Sequence, residues 1–164
     1  MAWVYISLGS NIDREALTRA GVNSLQKKYG ELVLSSVYES EAVGFEGDSF
    51  YNMVIVLQTD ESVLDVAQVL HTIEDEHGRD RSGPRFSSRT LDLDLLLYDD
   101  LVIDEGKLQI PRDEILERAF VLWPMAEVAP DLVHPQIKKT YGELWDEFDK
   151  KKEKLEPIEF DFSK

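Results

Sequence analysis

The sequence predicts an α+β domain in which helices pack on one face of a mainly antiparallel sheet. Three observations carry this. Segments with two-residue apolar alternation are interleaved with segments at three-to-four spacing along the 164 residues. The resulting order is strand, helix, strand, strand, helix, strand. The segments at 32–40 and 51–58 follow one another with no helix between them, which argues against a doubly wound parallel sheet. This order matches a two-layer sandwich of ferredoxin-like type.

Residues 4–8 read as a first strand, and Gly9-Ser10-Asn11 as the turn that ends it. A helix is expected over 14–29, where Leu17, Ala20, Gly21, Ser24, Leu25 and Lys28 mark its faces and Gly30 stops it. Strands follow at 32–40 and, more strongly, at 51–58, separated by a loop over 42–49 that contains Gly44 and Gly47. The second helix takes Ser62 as N-cap with Asp65 completing a capping box, an apolar stripe of Val63, Val66, Ala67, Leu70 and Ile73, and Gly78 just beyond its end. A strand at 92–98, a tight turn at Asp99-Asp100, a short strand at 101–103 and an extended piece at 108–111 come next. Residues 115–128 are helical in part, interrupted at Pro124. Residues 141–154 read as a charged terminal helix, and 156–164 receive no assignment. No internal repeat or linker divides the chain, so 1–164 is expected to form a single domain.

The formal net charge is −15, which disfavours nonspecific nucleic-acid binding. There is no cysteine, so a disulfide framework and a cysteine-based zinc site are excluded. The start of the chain has no basic leader, and no apolar run approaches membrane-spanning length. These features favour a cytoplasmic protein that binds neither nucleic acid nor membrane.

Against this acidic background, Arg79, Arg81, Arg85 and Arg89 precede Asp92 and Asp94. Residues two apart on a strand share a face, so the two carboxylates point the same way, with Leu91, Leu93, Leu95 and Leu97 expected on the other. Their α-carbons lie about 6.5 to 7 Å apart. The pair can therefore flank two Mg²⁺ ions spaced about 3.5 to 4 Å. Hard oxygen ligands favour Mg²⁺ over a transition metal. Gly83, Pro84, Ser82, Ser87 and Ser88 make the preceding segment a loop, whose guanidinium forks suit phosphate oxygens. The competing interpretation is a solvated acidic strand face and a basic loop paired to the acidic surface. The P-loop and the dinucleotide G-x-G-x-x-G are both absent, so a nucleotide would be held by side chains and metal.

With these residues in view, the chain resembles the 6-hydroxymethyl-7,8-dihydropterin pyrophosphokinase family. The resemblance runs from Tyr5-Ile6-Ser7-Leu8-Gly9-Ser10-Asn11 to about Pro135. Its most specific parts are Arg89-Thr90-Leu91-Asp92-Leu93-Asp94 and Arg118-Ala119-Phe120-Val121-Leu122-Trp123-Pro124. The resemblance implies transfer of a diphosphate from ATP to a pterin alcohol, with attack of the hydroxymethyl oxygen on the β-phosphorus and release of AMP. It places two Mg²⁺ on Asp92 and Asp94 and charge stabilisation on Arg79 and Arg89. It assigns ATP contacts to His71, Glu74, Arg81, Arg85, Lys107, Arg112 and Arg118. The pterin falls to Ser40, Val43, Gly44, Phe50, Asn52, Phe86 and Phe120, with Phe50 and Phe120 clamping the ring. Phe50 and Phe120 could equally be core, whereas an asparagine on a strand at position 52 favours function.

The chain departs from the family pattern in two places. Phe86-Ser87-Ser88 replaces a common Trp-Gly-Pro, and Arg112 with Lys107 replaces a common histidine and arginine. A monomer is expected. A noncatalytic nucleotide or pterin-binding module and a diphosphotransferase for another alcohol remain the alternative functions.

Overall fold

The computed structural model describes residues 1–40, 49–78, 91–106, 108–151 and 153–163. Its elements are β1 (Ala2–Ser10), α1 (Arg14–Tyr29), β2 (Val33–Leu34), β3 (Val37–Ser40), β4 (Phe50–Thr59), α2 (Val63–Glu76), β5 (Asp92–Tyr98), β6 (Ile103–Glu105), β7 (Leu108–Ile110), α3 (Glu114–Glu117), α4 (Ala119–Val128), α5 (Tyr141–Glu147) and β8 (Leu155–Ile158). The main sheet runs β5-β1-β4-β3-β8, with β2 also on β4, and each of its pairings is antiparallel. β6 and β7 form a separate two-stranded ribbon.

Both faces of the sheet are covered, which corrects the expectation of helices on one face only. Val22 and Leu25 of α1 and Val66, Leu70 and Ile73 of α2 meet Ile6, Leu8, Met53 and Ile55 on one side. Ile115 of α3, Leu122 and Met125 of α4 and Tyr141 of α5 meet Val54, Leu96 and Leu97 on the other. The physical cause is visible in β4, where residues 53–57 are apolar at every position, so alternate side chains bury two faces rather than one. Gly21 lets α1 settle onto the sheet, since a Cβ there would lie 2.9 Å from Leu8 Cδ1 and 3.2 Å from Leu91 Cδ1.

β5 carries a register shift opposite Tyr5 and Ile6, which pair with Leu97 and Leu95. Leu96 is the extra residue, so Leu97 joins the second core while Leu91, Leu93 and Leu95 stay in the first. The shift starts after Asp94, so Asp92 and Asp94 keep a common face.

The strand expected over 32–40 is broken into β2 and β3 by Ser35. Its backbone N–H donates to Val54 O at 3.0 Å, and its Oγ accepts the Val54 N–H at 2.9 Å. A side chain thus supplies an acceptor that the ladder would otherwise provide. Ser35→Ala is expected to leave the buried Val54 N–H unsatisfied and to cost about 1 to 3 kcal/mol, read as a lower urea midpoint with an unchanged slope.

The remaining differences are local. Ser62 caps α2 by accepting the Asp65 N–H. The break within 115–128 falls at Arg118, which has φ −124° and ψ 124°, whereas α4 runs through Pro124. α5 stops at Glu147 before the lysine run, and its N-terminus carries a full capping box between Thr140 and Glu143. The unassigned tail supplies β8 on the edge of β3, where Pro157 is tolerated because an edge strand can lack a ladder donor.

Candidate active site

β5 is an edge strand, and its first residue lies in one row with residues of two neighbours. Gly9 of β1 pairs with Asp92 on one side and with Asn52 of β4 on the other. Directly paired residues point to the same face. With strands about 4.8 Å apart, the α-carbons of Asp92 and Asn52 stand roughly 10 Å apart, with only the glycine hydrogen between them. A Cβ on Gly9 would lie 3.1 Å from Asn52 Oδ1 and 3.8 Å from Phe50 Cδ1. The glycine thus opens a shallow floor between a carboxylate and an amide.

Asn52 is buried, and its Nδ2 donates to Ser40 Oγ at 2.7 Å, which fixes the amide plane with Oδ1 over Gly9. Phe50 and Asn52, two residues apart on β4, share that face. The sheet therefore gathers Ser40, Phe50 and Asn52 at one end of the row and Asp92 at the other.

A cleft of about 220 Å³ opens beside β5, lined by His71 and Glu74 of α2, Asp92 and Asp94 of β5, Gln109 of β7, and Arg112. Five residues predicted for nucleotide or metal thus come together. Glu74 Oε2 accepts the Leu93 N–H at 2.9 Å, the amide between the two aspartates. A buried carboxylate on α2 therefore holds the strand edge that presents them. His71 stands 3.9 Å from Asp75.

Asp94 lies 3.5 Å from Arg112 Nη2, and Arg112 Nε also donates to Glu114 Oε1 at 3.0 Å. A quarter of the Asp94 side chain, 26%, still reaches the cleft. Burial pushes the Asp94 carboxyl up to about 8, and the negative charges of Asp92, Glu114 and Glu74 add to this while Arg112 opposes it. Among the described residues, the cleft therefore concentrates negative charge against the Arg112 guanidinium. Among the described residues, no group of three or more His, Cys, Asp or Glu is arranged to hold a metal ion.

Arg118 and Phe120 sit at the start of α4 and do not line this cleft. Arg118 Nη1 instead pairs with Glu153 at 3.2 Å, and Phe120 is half-buried against the second core. Val43, Gly44, Arg79, Arg81, Arg85, Phe86, Arg89 and Lys107 lie outside the described residues. Neither Gly9 nor Gln109 stands out in the sequence as a site residue. Gly9, expected in a turn, lies inside β1, where a glycine marks a close approach. Gln109 carries no comparable signal.

The model of the family described as 7,8-dihydro-6-hydroxymethylpterin-pyrophosphokinase matches residues 5–130. The chain is 37% identical over 142 residues to a 2-amino-4-hydroxy-6-hydroxymethyldihydropteridine pyrophosphokinase of Porphyromonas gingivalis, covering 83% of this chain and 96% of that protein. It is 39% identical over 128 residues to the protein of the same name from Bacillus subtilis, covering 76% of each. It is 36% identical over 149 residues to a folic acid synthesis protein of Schizosaccharomyces pombe, covering 87% of this chain and 20% of that protein. Among solved structures, wild-type Plasmodium falciparum HPPK-DHPS with pteroate superposes with a TM-score of 0.73 at 14% identity, covering 88% of this chain and 42% of that one.

Proposed function

The chain belongs to the 7,8-dihydro-6-hydroxymethylpterin-pyrophosphokinase family, and from that premise we propose that it moves a diphosphate from ATP to the hydroxymethyl oxygen of the reduced pterin across the floor formed by Asp92, Gly9 and Asn52. It is a pyrophosphokinase of folate biosynthesis. The observation that carries the geometry is the register that sets Gly9 between Asp92 and Asn52. A heterocycle anchored at Asn52 can extend its hydroxymethyl arm over the glycine toward the carboxylates.

Asp92 and Asp94 are the residues that would hold two Mg²⁺. The donor set fits: two carboxylates share one face at the cleft, and Asp94 is driven toward its protonated form by burial and by Asp92, a tendency that a hard divalent cation would reverse. When bound, such ions neutralise triphosphate charge and make the attacking hydroxyl more acidic. Two protein carboxylates suffice where phosphate oxygens and water complete the shell.

The chain's own residues then position and balance charge. Asn52, held by Ser40, reads the edge of the pterin together with Val43 and Gly44, and Phe50, Phe120 and Phe86 cover its faces. Glu74 and His71 border the nucleotide, and Glu74 keeps the aspartate-bearing edge in register. Arg79 and Arg89 stabilise the transferring phosphates, aided by Arg81, Arg85, Lys107, Arg112 and Arg118. Positioning and charge neutralisation suffice for this chemistry, with no covalent intermediate on the protein.

The sheet order β5-β1-β4-β3 with α1 and α2 on one face supports a ferredoxin-like core, on which the second helical layer is built. We also read residues 1–164 as one pyrophosphokinase domain, monomeric and cytoplasmic, binding neither nucleic acid nor membrane. The net charge of −15 supports the exclusion of nucleic acid, and among the described residues no helix is long and apolar enough to cross a membrane.

The deciding experiment incubates the protein with ATP, Mg²⁺ and 6-hydroxymethyl-7,8-dihydropterin and separates the products. AMP and pterin diphosphate are expected in equal amounts, and binding of both substrates without AMP would leave a binding module. Asn52→Ala is expected to raise the KM for the pterin by about tenfold or more while leaving that for ATP nearly unchanged, as for loss of one buried hydrogen-bonding group.

A further inference from the structure

Glu153 lies in the tail, beyond residue 130 where the family match ends, yet it reaches back to the first turn of α4. Its Oε1 accepts the Ala119 N–H at 2.9 Å, and its Oε2 lies 3.2 Å from Arg118 Nη1. Its side chain is 17% exposed. Arg118 occupies the N-cap position of α4 but makes no side-chain cap bond. The first amide of the helix, one of the four that a helix leaves without an internal partner, therefore finds its acceptor in a distant segment. The next residue of α4 is Phe120.

Two residues after Glu153, β8 begins, and its Leu155 pairs with Ser40 at the end of β3. Ser40 in turn accepts the Asn52 amide. One short stretch of tail thus contacts a neighbour of each group assigned to the heterocycle: Ala119, next to Phe120, and Ser40, the partner of Asn52.

We propose that Glu153 is a positioning residue for pterin binding, which sets the start of α4, and with it Phe120, at a fixed distance from the β3–β4 edge that carries Asn52. This rests on the reading that Phe120 and Asn52 contact the pterin. Glu153 itself touches no substrate. It acts as a polar tie between a helix end and a strand edge, and the lone-pair acceptor aimed at Ala119 is the part that matters.

The test uses the full chain with Mg²⁺. Calorimetry gives the Kd of α,β-methylene-ATP, and then the Kd of 6-hydroxymethyl-7,8-dihydropterin in its presence. Glu153→Ala is expected to weaken pterin binding about tenfold, as for a misplaced positioning group, and to change the nucleotide Kd less, through the released Arg118 alone. Glu153→Gln keeps an oxygen acceptor for Ala119 and is expected to restore pterin affinity to within about twofold of the native chain. Glu153→Asp keeps the charge but shortens the reach. It is expected on the alanine side and serves in place of the alanine variant if that does not fold.

Native pterin affinity in Glu153→Ala, an equal loss for both ligands, or a glutamine variant as defective as the alanine one would each overturn the proposal. Phe120→Ala separates the two levels. If it weakens the pterin while Glu153→Ala does not, only the role of the tail fails. If it leaves the pterin Kd unchanged, the placement of the pterin fails, and the tail's role with it.

Discussion

Asp94→Asn is expected to lower kcat for diphosphate transfer by about 10³-fold or more, on the scale of losing a metal or charge-stabilising group, while making the unliganded protein more stable at alkaline pH. Both effects come from the same carboxyl. In the folded chain its pKa lies near 8, well above the ordinary value, because of burial and the neighbouring Asp92. A group raised in this way favours the fold while it holds its proton, and that contribution is fully present below the unfolded value. It is lost as pH climbs through about 8, where the folded protein must accept a second charge beside Asp92.

Asparagine has nearly the same shape and never acquires that charge. The variant should therefore match the native chain near pH 4 and exceed it above pH 8 by about 2 kcal/mol. For a chain of this size, that is several degrees of melting temperature. Thermal melts in chelator at pH 4.5 and 8.5 measure the gap, and a variant that melts with the native protein at both pH values would show that Asp94 carries no such load. Adding Mg²⁺ with ATP should narrow the gap at pH 8.5 by raising the native midpoint alone.

The second large effect is expected from Gly9→Ala. Because the new methyl would sit 3.1 Å from Asn52 Oδ1 and 3.8 Å from the Phe50 ring, it fills the floor over which the hydroxymethyl arm is proposed to pass. kcat/KM for the pterin should fall about 100-fold, near 2.7 kcal/mol of transition-state stabilisation. Stability should fall by about 1 kcal/mol, since the methyl presses on the buried Asn52 amide held by Ser40. Binding of ATP alone should persist, because Glu74 and Arg112 line the cleft at the open edge of β5, whereas Gly9 lies in β1 on the other edge of that strand. A variant with native pterin turnover would mean that the substrate does not cross Gly9.

These two residues also show where the sequence was informative. Asp92 and Asp94 could be seen as a pair because period-two spacing on a strand needs no tertiary information. The same holds for α1, whose bounds follow from Gly30 and apolar spacing. Gly9 could not be placed, because its meaning comes from being paired with Asp92 and Asn52 at once, and those partners are distant in the chain. The second helical layer is hidden from the sequence for a related reason. The continuous apolar run of β4 admits one or two buried faces, and only the packing of α4 decides between them. Ser35 breaks a strand through a hydrogen bond to Val54, which no local propensity encodes. β8 was invisible because Leu155-Glu156-Pro157-Ile158 is too short and too polar to announce a strand, and it becomes one only by meeting the open edge of β3.

Tyr141, fully buried in the second core, together with β8 on β3, has a practical consequence for anyone trimming this protein. A chain cut at residue 130 would keep α3 and α4 over Val54 and Leu97 but lose Tyr141 from that cluster, and it would leave the β3 backbone open to strangers. Such a fragment should be recovered from the pellet rather than the supernatant. The family-model match therefore ends at residue 130, short of segments on which this packing depends.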